Sequence, residues 1–347
     1  MISNKKFLKK LKSGFFQAIY FNKEKEILKA SSPDDIITIQ WFQRHNNAIL
    51  CGINESIELI NHLTEKKVKI WALKDGDHIN ANDIVLAIKG KSYDVCPLEG
   101  IIDGILARST SIATNAYRVK QAAKNKEVIF MGDRADHYIT QGIDGYAAHV
   151  GGIDLQVTNA HVSFWGNKKN VIGSIPHSLI QAFGGDIIEA LSAYEKTLNE
   201  KKIVALIDFN NDCVKEAEKV AHYFKDRLFA VRIDTSISNQ DEYFKRVPGQ
   251  WPEEETYGVN IHLIRGVRSM LDICGCHHTK IIVSSGMNPE KITSFLEQNA
   301  PIDYFGVGEY ILNINIRFTG DAVELNDEIV AKVGRKKGDY SKLKKIQ

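Results

Sequence analysis

The feature that most limits what this chain can fold into is a rhythm between residues 127 and 307, where short apolar runs alternate with longer amphipathic stretches. Strand-like runs fall at 127–131, 153–157, 171–173, 203–208, 228–233, 280–284 and 303–307. Helical patterns lie between most of them, as at 212–225, 257–274 and 289–298. Strands separated by helices pair in parallel, because the crossover carries the chain back to the same end of the sheet. Seven such units predict an α/β architecture built on an irregular (β/α) barrel.

The flanks follow a different pattern. Residues 1–30 read as helical with a loop around Gly14, and 36–41 alternate as a strand with Ile37, Ile39 and Trp41 on one face. Ile57, Ile60 and Leu63 mark an amphipathic helix, and short strands follow at 68–72 and 84–88 around the turn Asp75-Gly76-Asp77. Pro97 opens a long helix that runs to about residue 124. After Tyr310 strands return, with Asn326-Asp327 as a hairpin turn. The expected division is an N-terminal α/β domain over 1–125, completed by strands at 311–335, a barrel over 126–310, and a basic tail over 336–347.

Composition narrows the class. A hydrophobic fraction of 44% and a charged fraction of 25% over 347 residues are those of a soluble globular protein. The formal net charge of +2 calls for no nucleic acid or anionic membrane. The lysines near the start (Lys5, Lys6, Lys9, Lys10, Lys12) and the end (Lys336, Lys337, Lys342, Lys344, Lys345) read as solvated termini. No apolar run approaches the roughly 20 residues of a membrane helix, and no apolar segment of a secretory signal follows the first lysines. Five cysteines without a disulfide-like framework fit a reducing, cytoplasmic setting.

Barrel chemistry collects at the C-terminal ends of the strands. Here those ends carry Arg134; Thr158, Asn159 and His161; Ser174 and His177; Asp208; Arg232 and Asp234; Ser284-Ser285-Gly286; and Gly306, Gly308 and Glu309. Glycine-rich loops ahead of helices expose backbone N–H groups to a phosphate. Arg134 and Arg232 can clamp carboxylate or phosphate oxygens bidentately. Asp208 and Asp234 can hold Mg²⁺ against a polyphosphate, directly or through water. Taken singly, a glycine pair is more often a turn, an Arg near an Asp a structural pair, and a His after Pro a helix-start residue; the argument rests on their shared end of the barrel. Cys274-Gly275-Cys276-His277-His278 has metal-ligand types at a spacing too tight for a four-ligand zinc site, and a helix cap at Gly275 explains it.

With these residues in view the chain resembles the nicotinate phosphoribosyltransferase family, within the broader nicotinate/quinolinate group. The resemblance runs from about Tyr20 to Gly334. Ile39-Gln40-Trp41-Phe42-Gln43-Arg44, Leu50-Cys51-Gly52-Ile53, Leu106 through Asn115, Asp144-Gly145-Tyr146-Ala147-Ala148, Gly173-Ser174-Ile175-Pro176-His177, Val231-Arg232-Ile233-Asp234-Thr235 and Val283-Ser284-Ser285-Gly286 carry it, by their order and spacing.

The resemblance implies an N-terminal α/β sandwich domain joined to the barrel, and a homodimer in which that domain covers the partner's barrel. It implies that Phe130 stacks on the pyridine ring, with Tyr20 of the partner subunit on the other face. Arg134 and Arg232 then line the nicotinate and ribose-phosphate site, and Arg108 reaches the neighbouring subunit's substrate. Asp208 and Asp234 contact ribose hydroxyls or Mg²⁺-bound pyrophosphate, while Ser284, Ser285, Gly286, Gly306 and Gly308 hold the 5′-phosphate. Thr158 falls where nicotinamide-using relatives place an Asp, and Asn159 counts with it among the substrate-binding residues. His177 matches the histidine that the family phosphorylates with ATP. The implied activity forms nicotinate mononucleotide and pyrophosphate from nicotinate and phosphoribosyl pyrophosphate, with ATP as co-substrate, in NAD biosynthesis. A quinolinate phosphoribosyltransferase and a catalytically silent homologue are the alternatives. The sequence departs from the family pattern at Ala18, Glu24, Ser285 and Met287.

Overall fold

The computed structural model describes residues 5–64, 68–199 and 201–347. The first four residues of the expected N-terminal helix lie outside these. The chain opens with α1 (Lys5–Lys12) and α2 (Ile19–Ser31), separated by turns around Gly14. Strand β1 (Ile36–Gln43) and helix α3 (Ile53–Leu63) follow, then β2 (Lys69–Ala72), β3 (Leu86–Lys91) and the long helix α4 (Glu99–Ala123). Trp41, Leu50, Ile60, Ile70, Leu86 and Leu106 meet in one buried core. Gly52 starts α3 at φ 103, a left-handed turn that an L side chain resists, and Asp75 accepts from the Ile53 N–H at 2.8 Å to satisfy the helix end.

The middle of the chain forms the parallel sheet that the rhythm predicts. Its strands are β4 (Glu127–Phe130), β5 (Leu155–Gln156), β6 (Ile203–Leu206), β7 (Leu228–Ile233), β8 (Lys280–Val283) and β9 (Tyr304–Val307). They lie in the order β5-β4-β9-β8-β7-β6, so the first and last barrel strands are neighbours. The expected third strand at 171–173 is reduced to a single parallel bridge from Gln156 to Val171. Its approach is a 3₁₀ turn at Lys168–Asn170, which leaves no length for a ladder. Among the described residues the wall is therefore closed between β9 and β4 and open between residue 171 and β6. Helices α5 (Gln141–Val150), α6 (His177–Ala182), α7 (Ile187–Leu198), α8 (Cys213–Phe224), α9 (Ile261–Ile273) and α10 (Pro289–Glu297) connect the strands. Register sets the inner face: Ile129 stands beside Gly306 and Leu155, and Ile282 beside Tyr304 and Arg232. Ile129, Ala230 and Ile282 form an inner apolar floor on which Met131 and Val204 pack.

After the barrel the chain returns as β10 (Phe318–Leu325), which pairs antiparallel with β1, and β11 (Glu328–Ile329). Asn326 and Asp327 join them with φ of 50 and 72, the two positive values of a two-residue hairpin turn. The segment 336–347, expected as a solvated tail, is instead part of this sheet. Its strand β12 (Lys344–Lys345) pairs with β2, Tyr340 donates to the Gln40 side chain at 3.0 Å, and Lys342 pairs with Asp83 at 3.0 Å. Lys344 and Lys345 themselves pair with Ala72 and Trp71, and the Ile346 N–H donates to the Ile70 carbonyl, so their charge does not free the chain. The structure divides into two compact units, one of the described residues up to Tyr117 with Tyr146–Gly152 and Leu312–Gln347, the other of Arg118–Gly145 and Ile153–Ile311. The division falls inside α4 rather than at residue 125. No helix among the described residues is long and apolar enough to cross a membrane.

Glu99 and Asp103 lie one turn apart on α4. Burial, reinforced by their mutual repulsion and by Asp321, pushes Glu99 up to about 7; burial, with Asp321 adding to it, takes Asp103 to about 7 as well. Between roughly pH 4 and the folded values the native chain holds protons that the unfolded chain has released, so stability falls as pH rises through that window. Asp103→Asn removes one titrating group. The melting temperature of wild type should drop between about pH 5 and about pH 8 relative to that variant, by roughly 1–2 °C for each kcal/mol of linked free energy. Parallel curves would show that the pair is not coupled to folding.

Candidate active site

Arg232 is the penultimate residue of β7 and points to the inner face, where a cation without partners would be costly. Its guanidinium is fully oriented. Nε donates to Ser284 Oγ at 3.0 Å, Nη1 to Ser174 Oγ at 3.2 Å and Nη2 to Asp234 Oδ2 at 2.9 Å. Ser284 Oγ in turn donates to Asp234 Oδ1 at 2.6 Å. Both ions are largely enclosed, with side chains 17% and 10% exposed, so their mutual contact is weakly screened. Beside this lattice, His177 Nε2 meets Asp208 Oδ1 at 3.0 Å. Burial raises the Asp208 carboxyl above its ordinary value; the His177 hydrogen bond and charge counter it, and the charge of Asp234 adds to it. His177 opens α6 after Pro176, yet its ring turns to Asp208 rather than to the helix end.

The loop after β8 makes a sharp turn. Ser285 and Gly286 adopt φ of 73 and 64 in succession. A left-handed serine carries strain that a surrounding structure must hold in place. Asn288 then caps α10 by accepting from the Lys291 N–H at 2.8 Å, with Pro289 in the first helical turn. A Cβ at Gly286 would meet open space.

Residues 19–110 match the family described as "Quinolinate phosphoribosyl transferase, N-terminal domain". A nicotinate phosphoribosyltransferase from Bacillus subtilis is 26% identical over 250 residues, 70% of this chain and 45% of the relative. One from Mycobacterium tuberculosis is 23% identical over 288 residues, 80% of this chain and 54% of the relative. The chain thus spans about half the length of these curated relatives. The crystal structure of a nicotinate-nucleotide pyrophosphorylase from Pyrococcus furiosus superposes with a TM-score of 0.82 at 28% identity, over 97% of this chain and 81% of that one. Human nicotinic acid phosphoribosyltransferase shares the fold, with a TM-score of 0.69 at 14% identity over 92% and 77% of the two chains. By these matches the chain is similar to the nicotinate/quinolinate phosphoribosyltransferase-like family over most of its length.

Within that family frame the structure sorts the expected residues. It brings Arg232, Asp234, Ser284, His177 and Asp208 together and adds Ser174 as a partner of Arg232. Phe130 requires correction. It is 0% exposed, pointing away from the inner face and packing on His161 with ring centroids 4.8 Å apart. A strand alternates, so the inward residue at the end of β4 is Met131, not Phe130. The alternation of Ile129 and Met131 was the available signal. Arg134 stands exposed on the following loop. Thr158 is already engaged, donating to Gln141 Oε1 at 3.0 Å and accepting from the His161 N–H at 3.0 Å; Asn159 is exposed. Tyr20, on α2, is 64% exposed. Arg108, on α4, lines a cavity of about 400 Å³ with Asp103, Ile314, Arg317 and Phe318. Both belong to the other compact unit.

Gly306 and Gly308 have a packing reason to be glycine. A Cβ at Gly306 would come within 2.6 Å of Met131 Sδ, and one at Gly308 within 2.3 Å of the Met131 carbonyl oxygen. The two clashes differ in kind, since the thioether can swing aside and the backbone cannot. Gly308→Ala should destabilise the protein by about 1–3 kcal/mol and Gly306→Ala by less. Met131→Ala should relieve only the Gly306 substitution. Urea unfolding of the single and double variants measures this; relief of both, or of neither, would remove the packing account.

Proposed function

We propose that the chain is a nicotinate phosphoribosyltransferase that forms nicotinate mononucleotide and pyrophosphate from nicotinate and phosphoribosyl pyrophosphate. The observation that carries this reading is the Ser174–Arg232–Asp234–Ser284 lattice beside His177–Asp208, at the C-terminal ends of parallel barrel strands. A guanidinium has five N–H donors. Three are placed by the lattice, so one on each terminal nitrogen remains for oxygens of an anionic substrate, and the fork is already aimed.

In the proposed reaction the pyridine nitrogen attacks the ribose C1 with its own lone pair. The C1–N bond forms as the C1–O bond breaks, and that electron pair leaves on pyrophosphate. No general base is needed. Positive charge grows on the ribose ring in the transition state, and the largely enclosed carboxylates of Asp208 and Asp234 favour it. When bound, Mg²⁺ would supply charge neutralisation to the departing pyrophosphate. Asp234 is committed to Arg232 and Ser284, Asp208 to His177, and the described residues hold no group of three or more His, Cys, Asp or Glu side chains suited to a metal. The donor set therefore fits a cation that arrives with the polyphosphate better than one held by the protein alone.

ATP coupling through His177 belongs to the same reading. With Nε2 held by Asp208, Nδ1 carries the free lone pair. Attack on the γ-phosphorus would form the N–P bond and release ADP. Incubation with ATP should yield an acid-labile, base-stable phosphoenzyme that is absent in His177→Ala and depleted in Asp208→Asn. If wild type takes up no phosphate and ATP leaves its KM unchanged, the coupling falls while the transferase reading stands.

Nicotinate should be preferred over nicotinamide by roughly 100-fold or more in kcat/KM, because Thr158 offers no carboxylate to an amide N–H and Arg232 attracts a carboxylate. Thr158→Asp should reduce nicotinate use selectively. In the homodimer, Tyr20 and Arg108 of the partner subunit would complete the site, and mixing two inactive variants, one altered in each compact unit, should restore partial turnover. A turnover assay with nicotinate, phosphoribosyl pyrophosphate, Mg²⁺ and ATP, repeated with quinolinate, decides the whole reading. Turnover of quinolinate alone assigns the alternative reaction, and none with either marks a silent homologue.

A further inference from the structure

His161 sits where an apolar residue would be more stable. It is 0% exposed, and neither ring nitrogen has a hydrogen-bond partner among the described residues. A neutral imidazole carries one N–H and one lone pair, and enclosing both unbonded costs free energy that a phenyl ring does not incur. The backbone at this position is held on both sides. Its N–H donates to Thr158 Oγ1 at 3.0 Å, and its carbonyl accepts from the Trp165 indole at 3.1 Å. That carbonyl oxygen also lies where a Cβ at Gly145 would come within 2.1 Å.

What rests on the ring points to its use. The Phe130 ring packs on His161, and Phe130 Cζ lies so close under Gly132 that a Cβ there would be 2.3 Å away. The stack His161–Phe130–Gly132 therefore fixes the start of the loop after β4, whose next residues, Asp133 and Arg134, are exposed. The charged groups facing His161 are Asp133 on that loop and Asp144 on α5. Burial holds the imidazole below its ordinary value, and these two carboxylates only partly offset it.

We infer that His161 is a positioning residue for the Arg134 loop: neutral, it supports Phe130 and holds the loop in place; protonated, it cannot stay enclosed and the loop is released. Anion binding by Arg134 then weakens in acid for a reason separate from any titration of the ligand. The kinetic arm of the test rests on the transferase reading, and the structural arm does not.

The comparison is wild type against His161→Phe, which keeps a ring and cannot be charged, and His161→Ala, which removes the support. Hydrogen exchange of the peptide spanning residues 131–137, corrected for intrinsic rates, is followed from neutral to mildly acid pH. KM for nicotinate is measured over the same range. Wild type should lose protection as pH falls, with KM rising by up to about tenfold per pH unit below the His161 pKa. His161→Phe should melt higher than wild type and show protection and KM that do not follow pH. His161→Ala should be unprotected throughout; if it does not fold, wild type against His161→Phe decides. Protection in wild type that is indifferent to pH, or a His161→Phe variant that follows the same pH course, overturns the inference. Absent turnover in every variant with the exchange pattern as expected sinks the transferase reading and leaves the positioning role standing.

Discussion

The arrangement at the barrel mouth depends on how one cation is held. Arg232 comes from the wall, on the inner face of β7, beside Ile282 of β8 and Leu206 of β6. A guanidinium at such a position must find oxygens or move. It finds three, on Ser174, Asp234 and Ser284. Ser284 carries a second load, since its hydroxyl accepts from Arg232 and donates to Asp234. A bond of this kind, with an ionised partner on each side, is stronger than a neutral one. The lattice thereby ties three separate chain segments into one rigid edge. That rigidity is the condition for catalysis by positioning, because a guanidinium that must reorganise when substrate arrives gives back much of what it contributes.

Much of this was legible in the sequence because it follows from periodicity. The alternation of strand and helix set the parallel sheet, and Asn326-Asp327 marked a hairpin because few other residues tolerate two successive left-handed conformations. Arg232, Asp234 and Ser284 were placed together because each stands at the same end of its strand. The errors came where a one-residue shift changes the face. The resemblance implies Phe130 as the stacking residue, whereas alternation puts Ile129 and Met131 on the inner side and Phe130 on the other. At 336–347 the lysines suggest a solvated tail, and charge alone does not decide the path of the backbone. Pairing of β12 with β2 is a backbone matter, and lysine is well suited to a sheet edge.

Glycine shows the limit of motif reading more sharply. Gly286 has room for a side chain and needs glycine only for its φ, whereas Gly306 and Gly308 need it because Met131 occupies the space. A sequence displays all three alike. Space and conformation are different constraints, and only the packed structure separates them.

The weakest part of the barrel wall is also what lets the lattice close. A regular third strand would carry the chain past residue 171 in the ladder, with alternate side chains fixed to the two faces of the wall. The single bridge at Val171 ends that constraint. Residues 172–176 then leave the sheet, and the chain can bring Ser174 to Arg232 and, three residues later, His177 to Asp208. Two contacts so close in sequence, reaching different strands, could not both be made from one face of a continuous strand, where an odd separation puts side chains on opposite sides. The irregularity of the barrel is thus a requirement of the site rather than a defect of the fold, since restoring the ladder at 171–177 would cost the mouth either its serine or its histidine.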